Sequence, residues 1–352
     1  MGGVSAVSAA ARIAPTAAGP ATAFRIGAPL PERVLGALPG PRLVWMLAWG
    51  LSPSVLYEVA YLVSPWPGYQ GVASNLAIGI VNLFGLWGVR RLAARVVALE
   101  PALEEILEPD DLGPGRHPFR HAASIPGPLA VIALVVLGWD VVDLVRYPSL
   151  VTGLLVPAVF VALLPAGTFL WLYGATVFGL DRIGRRRLRL GSFTTDPLLG
   201  LKPLGSLAFE AFLLAGAVIA PVLVWSLTDV RAVVETAVMV AVVSGLFVLS
   251  AFTLHRQLAT AKAGHVRWAR GLVAAALGSI AQRESEPADA TGMIEALART
   301  APSLAVAVEI ERRSVAIQEW PFDATIIRAV AAILTSVTAV VVARLLLSRF
   351  GM

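Results

Sequence analysis

Residues 232–254 read AVVETAVMVAVVSGLFVLSAFTL, and Glu235 is the only charged residue among them. A helix needs about 20 mostly apolar residues to cross the ~30 Å hydrocarbon core of a bilayer, because each residue advances the helix by ~1.5 Å. Inside lipid every backbone N–H and C=O must also find a partner, and a helix provides one. This stretch therefore predicts a membrane-spanning helix.

Six more windows of the same kind occur, and the composition agrees with them. Of the 352 residues 57% are hydrophobic and only 14% are charged, whereas an ordinary soluble domain carries about 25% charged residues. We predict an all-α fold, a polytopic membrane helix bundle with seven transmembrane helices. The fourth window is over-long, and Pro157 and Pro165 predict a kink or a tilt there. The windows are 43–63, 70–91, 126–146, 151–179, 206–228, 232–254 and 324–347.

The basic residues predict the topology. Lys and Arg crowd the N-terminal region and the second, fourth and sixth connections, whereas residues 64–69 carry no charge and the other two short turns contribute only Arg146 and Arg231. By the positive-inside rule the N-terminus lies in the cytoplasm and the C-terminus outside. Three helical hairpins with short outer turns are then followed by one single helix.

These predictions divide the chain into four parts. Residues 1–40 are expected to be a disordered cytoplasmic tail, because they are rich in Ala, Gly and Pro. Residues 41–254 form a six-helix transmembrane bundle, 255–323 a cytoplasmic helical hairpin, and 324–352 the seventh transmembrane helix with a short outer tail. High use of Ala, Gly and Arg with almost no Lys indicates a GC-rich bacterial genome, and hence a multi-pass protein of the plasma (inner) membrane.

The predicted hairpin is the main candidate for binding a partner. Its first helix continues the sixth span, with a seam of alternating steps of four and three residues, and its second helix returns after a turn near Pro287. Either the hairpin pairs with a second copy as a four-helix bundle, giving a homodimer, or it closes over the cytoplasmic mouth of the bundle. The candidate partner surface consists of Leu258, His265, Trp268, Leu272 and Leu304.

Ionisable and amide side chains inside the spans are candidates for an ion or proton pathway, because a charge at the bilayer centre costs at least ~2.5 kcal/mol. Four acids share the outer third of their helices, which suggests an outward-facing acidic vestibule. Local pairing of Asp143 with Arg146 and of Glu235 with Arg231 is the competing explanation. The candidate pathway residues are Glu58, Asn82, Asp140, Asp143 and Glu235.

A run of arginines follows the fourth window and is expected to lie beside lipid headgroups, where each Arg contributes about 1 kcal/mol near an anionic surface. The candidate anionic-lipid contacts are Arg182, Arg185, Arg186, Arg187 and Arg189. The lipid bilayer is therefore the first expected partner. Nucleic acid is not expected, because the net charge of +5 is spread over short loops beside apolar spans.

Enzymatic motifs are missing from the sequence. The chain has no Cys, which excludes thiolate nucleophiles and Cys-ligated metals. His117 and His121 have a metal-like spacing, but Pro118 and the nearby arginines argue against a preorganised site. We expect no catalytic residue, no metal and no cofactor. The favoured function is a non-enzymatic signalling or scaffolding module acting through the hairpin; the alternative is a proton- or cation-coupled transporter or channel.

Overall fold

A computed structural model describes residues 27–65, 71–113, 115–191, 196–226, 230–284, 290–322 and 324–349. Every regular element among these residues is helical. The α-helices are α1 (Leu30–Ala37), α2 (Arg42–Val63), α3 (Val72–Ala98), α4 (Glu100–Ile106), α5 (Pro126–Arg146), α6 (Leu150–Ala162), α7 (Leu164–Gly184), α8 (Lys202–Ser226), α9 (Val230–Glu284), α10 (Ala290–Val315) and α11 (Ala324–Arg349).

The described part of each predicted window is almost entirely helical, with the fourth window divided between α6 and α7, and several of these helices are long and apolar enough to cross a membrane. By length and composition four helical stretches of the described residues qualify, and the bent pair of α6 and α7 would make a fifth. The all-helical fold of membrane type is thereby confirmed, while the number seven stays a prediction. The four are Arg42–Val63, Val72–Ile106, Lys202–Val222 and Ala237–Gly278.

The core lies around α3, which packs against α2, α7 and α8, while α9 covers α7 and α8. Large apolar side chains of α3 and α7, among them Leu86, Leu92 and Phe169, are fully buried. Glycines allow these two helices to approach closely, since a Cβ at Gly85 would lie 2.9 Å from Ala166 Cα and one at Gly88 would lie 2.7 Å from the Phe169 ring.

The predicted kink in the fourth window is present as a break between two helices. α6 ends at Ala162 and α7 begins at Leu164, with a bend of 46° between them. Pro165 lies in the first turn of α7 and cannot donate to the carbonyl of Val161, so the break falls there. Pro157 lies inside α6 without interrupting it.

The prediction of a disordered tail up to residue 40 is wrong for α1. This helix begins with Pro31 in its first turn, a position where the missing proline N–H costs nothing. Leu35 is 2% exposed, and α1 contacts α2, α3 and α7. Burial of that one apolar face stabilises the short helix. Residues 1–26 of the predicted tail lie outside the described part of the chain.

α9 and α10 form an antiparallel pair beyond the bundle. Lys262 Nζ lies 3.2 Å from Glu319, and Arg270 Nε lies 3.1 Å from Glu311. From Lys262 to Arg270 the chain advances eight residues, while their partners go back eight residues from Glu319 to Glu311, which shows that the two segments run antiparallel. Small buried side chains allow the close approach, with Ala269 fully buried on α9.

The predicted seam of α9 is correct up to His265 and wrong beyond it. Leu258 is fully buried and His265 half-buried, but Trp268 and Leu272 are 53% and 37% exposed, and Ala269 is buried instead. The predicted steps average 3.5 residues per turn, whereas a straight α-helix has 3.6, so such a seam drifts by about 20° per heptad. On α10 Leu304 is half-buried.

The chain leaving α10 is anchored on the bundle by residues 316–322, which we call the return segment. Ile317 is 1% exposed, and the backbone N–H of Gln318 donates to the carbonyl of Pro197 at 3.1 Å. Trp320 stacks on His255 of α9 with ring centroids 4.3 Å apart. Phe322 joins an aromatic stack with Phe247, 5.3 Å between centroids. The return segment is therefore a packed part of the fold.

Gly205 on α8 tests this anchorage. A Cβ at Gly205 would overlap the backbone carbonyl of Pro321, whereas a Cβ at Gly216 on the same helix meets nothing within 4 Å. We expect Gly205→Ala to destabilise the protein by about 1–3 kcal/mol through overpacking, and Gly216→Ala to stabilise it by up to about 1 kcal/mol through helix propensity. Thermal unfolding in detergent measures both. Equal midpoints for the two variants would contradict the observed docking.

Candidate functional site

A line of polar side chains runs between α2 and α3, and we call Ser54, Glu58, Asn75 and Asn82 the polar seam. Ser54 Oγ donates to the carbonyl of Asn75 at 2.5 Å. The Asn75 amide then donates to Glu58 Oε1 at 2.7 Å. Gly79 makes this contact possible, because its missing Cβ leaves the room that Ser54 Oγ occupies. Asn75 is 3% exposed, so the Glu58 carboxylate is held by a buried amide.

At its Asn82 end, the polar seam meets α2 next to Pro53 and the break between α6 and α7. Pro53 has no N–H, so the Trp49 carbonyl of α2 loses its usual helical donor. Asn82 Nδ2 lies 3.1 Å from that carbonyl and 3.2 Å from the carbonyl of Gly50. The Val161 carbonyl is freed in the same way by Pro165, and Trp49 Nε1 donates to it at 3.1 Å.

Asn82 also bridges the break between α6 and α7. Its Nδ2 donates to the carbonyl of Ala162 at 2.9 Å, and its Oδ1 accepts from the N–H of Ala166 at 3.1 Å. In an uninterrupted helix these two backbone groups would bond each other. Since every partner is a backbone donor or acceptor of known type, the orientation of the amide is fixed. Asn82 is fully buried.

The predicted vestibule is described only in part. Glu58 lies in the polar seam beside Asn75. Asn82 belongs to the helix junction, and its amide hydrogens and carbonyl oxygen are engaged by backbone groups. The side chains of the other three candidates lie outside the described residues, so the expectation that the acids share one cavity stays a prediction. These three are Asp140, Asp143 and Glu235.

Two of the five arginines predicted to contact lipid hold the connection between α3 and α5. Arg182 Nη1 donates to the carbonyl of Pro118 at 3.2 Å, and Arg186 Nη1 donates to that of Asp111 at 3.1 Å. Arg185 pairs with Asp181 of its own helix at 2.9 Å. The remaining two candidate lipid contacts, Arg187 and Arg189, are exposed, and their contact with lipid is untested.

The connection between α3 and α5 is a folded cap, which the sequence reasoning missed. Phe119 is fully buried, with its ring in the space left by Gly179 of α7. The N–H of Arg189 donates to the carbonyl of Ile106 at 2.8 Å. The apolar residues Leu103 and Ile106 were a signal for it, because both are buried here. Residues 99–113 and 115–125, which we call the cap, thus pack against the end of α7 and the residues that follow it.

His117 is the most buried polar side chain of the cap. The N–H of Phe119 donates to its Nδ1 at 3.2 Å, so the proton of the neutral ring sits on Nε2 and faces Glu100, 3.2 Å away. Burial, with a smaller contribution from the positive charge of Arg186, lowers the pKa of His117 to about 4. The ring is therefore neutral at physiological pH.

Glu210, a further acid near the end of a predicted span, is paired across helices. Its carboxylate on α8 lies 2.6 Å from Arg91 Nε of α3 and is also bonded by Arg95. The Glu210 side chain is 17% exposed. Two guanidinium groups thus neutralise one half-buried carboxylate, which fixes α8 against α3 and leaves the cluster with a net positive charge.

The chain matches no protein-family model, no curated protein and no solved structure.

His117 predicts a pH-dependent stability. The unfolded chain binds a proton at this residue below a pKa near 6.5 and the folded chain only near 4. The free energy of unfolding should therefore fall as the pH is lowered from 6.5 to 4. We expect His117→Asn, whose side-chain oxygen can still accept from Phe119, to flatten this fall, and His121→Asn, at an exposed residue, to retain most of it. Thermal unfolding in detergent at pH 7 and pH 5 measures both; equal slopes in wild type and His117→Asn would contradict the assignment.

Proposed function

We propose that this chain is a non-enzymatic signalling or scaffolding protein of a bacterial inner membrane, and that its hairpin of α9 and α10 lies in the cytoplasm. The single observation that carries this proposal is the continuity of α9, one helix of 55 residues. The part beyond His255 extends for roughly 45 Å at 1.5 Å per residue. A helix without a break transmits a tilt or rotation from one of its ends to the other.

The root of the hairpin is held firmly enough to transmit such a movement. Leu254 and Leu258 are fully buried in the core. The Gln257 amide donates to the carbonyl of Gly184 at 2.9 Å and to that of Arg186 at 3.2 Å, which ties α9 to the end of α7. A displacement of α9 therefore acts on α7 and on the cap that α7 holds.

The second helix of the hairpin is joined to the bundle as well. α10 runs into the return segment, whose Phe322 contacts Phe247 of α9 and whose Pro321 packs on Gly205 of α8. Both ends of the hairpin are thus attached to packed helices. A partner that bends the hairpin would act on α8 and α9 together, which supports a signalling role over that of a loose tether.

The outer face of the hairpin offers a surface to a partner. Trp268 and Leu272 of α9 and Val306 of α10 are exposed apolar side chains. Exposed aromatic anchors beside aliphatic residues are typical of binding surfaces. A second copy docked on this face would give a four-helix bundle and hence a homodimer. Leu258, also expected on this surface, is buried inside the protein and supports the hairpin root instead.

Photo-crosslinking tests this surface. A photoreactive amino acid at Trp268 should give a discrete protein adduct in cells, because the side chain is 53% exposed. The same group at Val248, which is 50% exposed on the bundle part of α9, should not give that adduct. We expect Leu272→Glu to abolish the adduct at Trp268. An adduct of twice the chain mass identifies a homodimer, another mass identifies a different partner, and no adduct at Trp268 contradicts the proposal.

A transporter or channel coupled to protons or cations is the second candidate, and the polar seam favours it. Glu58 is held by a buried amide at 2.7 Å inside a helix pair that qualifies as membrane-spanning. Ionisable groups at such depth mark proton and ion pathways in many membrane proteins. Helices interrupted near the middle of the bilayer, as α6 and α7 would be, form binding sites in several transporter folds.

Glu58→Gln separates the two candidates. The Gln side-chain oxygen can still accept from Asn75, so the fold should be unaffected while the titratable group is lost. If the protein transports, pH-dependent flux in proteoliposomes should fall at least tenfold in Glu58→Gln and stay unchanged in Glu311→Gln, which alters an acid of the hairpin. An absence of flux in the wild-type protein would reject this candidate.

A further inference from the structure

The junction of α6 and α7 contains a backbone turn that two different partners can satisfy. In the structure the Asn82 amide occupies the turn, accepting from the N–H of Ala166 and donating to the carbonyl of Ala162. Without the amide, the same N–H can donate directly to the same carbonyl, as in any α-helix. Both arrangements leave these two backbone groups with a partner, which is the condition for stability inside lipid.

Asn82 also keeps partners when it leaves the turn. Its amide nitrogen is already within hydrogen-bond distance of the carbonyls of Trp49 and Gly50 on α2. The Val161 carbonyl, freed by Pro165, is served by Trp49 Nε1, which does not depend on Asn82. At the junction itself, a straightened turn therefore costs one hydrogen bond to the Asn82 oxygen and leaves no described backbone group unpaired. Straightening also separates Leu155 and Val159 of α6 from α2.

α6 has its own N-terminal cap and is packed apart from α7. It has its own N-terminal capping box, formed by Ser149 and Thr152, so its first turn is stable without help from α5. Its buried residues Leu155 and Val159 form a small cluster with Ala60 of α2, separate from the main core that contains α7. The two sides of the junction are thus packed into different clusters.

We propose that the α6–α7 junction is a two-state hinge with Asn82 as its latch. In the bent state the Asn82 amide is inserted between Ala162 and Ala166, and α6 lies at 46° to α7. In the straight state the two backbone groups bond each other and α6 swings away. α6 is about 20 Å long, so straightening moves its far end by about 15 Å. This proposal is independent of the hairpin function.

Distances between spin labels test the hinge, and the absence of Cys from the chain makes double-cysteine variants simple. Leu150, at the far end of α6, is 81% exposed, and Phe178 on α7 is 50% exposed. Straightening can only lengthen the distance between these two, by about 3 Å. A second pair, Leu150 with exposed Val72 of α3, reports the larger sideways swing of α6.

Asn82→Leu and Asn82→Ala cannot bridge the turn, so both should shift the label distances in nanodiscs toward the straight state. Thr176→Val is the matched control. The buried Thr176 hydroxyl donates to the carbonyl of Leu172 in the same helix, so its loss should leave the distances unchanged. With Asn82 unchanged, the distance distribution between labels at Leu150 and Val72 should show two populations, one for the bent and one for the straight state. A single wild-type population, or Asn82 variants that keep the wild-type distances, would overturn the hinge.

Discussion

The structure depends on one constraint, that backbone polar groups inside a membrane must be paired within the protein. Pro53 and Pro165 each remove one helical hydrogen bond from a different helix. Trp49 and Asn82 restore the pairing by donating to the carbonyls that these prolines leave free. These bonds reach across helices, so the repair of two local defects joins α2, α3, α6 and α7 in the bent arrangement seen in the structure. Gly85 of α3 allows the close approach to α7 that this repair requires.

The end of the bundle that carries the cap and the hairpin is held together by a different principle. There, long basic side chains reach backbone carbonyls and acids: Arg182 and Arg186 bind the cap, while Arg91 and Arg95 share Glu210. Charge-assisted hydrogen bonds of this kind are strong and directional. The root of α9 and the return segment pack against the same end. The proposed hinge at the start of α7 and the long helix α9 are thus separated by a firmly connected region around α7.

Hydropathy was sufficient to place the apolar windows on helices, because burial of the backbone in lipid requires apolar windows of a given length. It did not predict α1 or α4, which are short helices outside those windows. The break at Pro165 followed from proline chemistry alone. The sequence pattern did not predict which face of α9 packs against α10. An error of 0.1 residue per turn accumulates along a long helix, so Trp268 was predicted in the seam but is exposed. The role of Asn82 and the cap over α7 depend on contacts between residues far apart in the sequence. Such contacts leave no periodic signal, and Arg186 looks the same in sequence whether it meets a headgroup or the carbonyl of Asp111.

Cysteine accessibility tests the central claim, that the apolar helices cross a membrane with the cap and hairpin on its cytoplasmic side. Single cysteines at Arg187 beside the cap, at Gly271 in the hairpin and at Ser149 in the turn before α6 meet no competing thiol, because the chain has no Cys. With a membrane-impermeant maleimide on intact spheroplasts, only the Ser149 position should be labelled, and the other two should need permeabilisation. Labelling of Gly271 and Ser149 under the same condition would contradict the account.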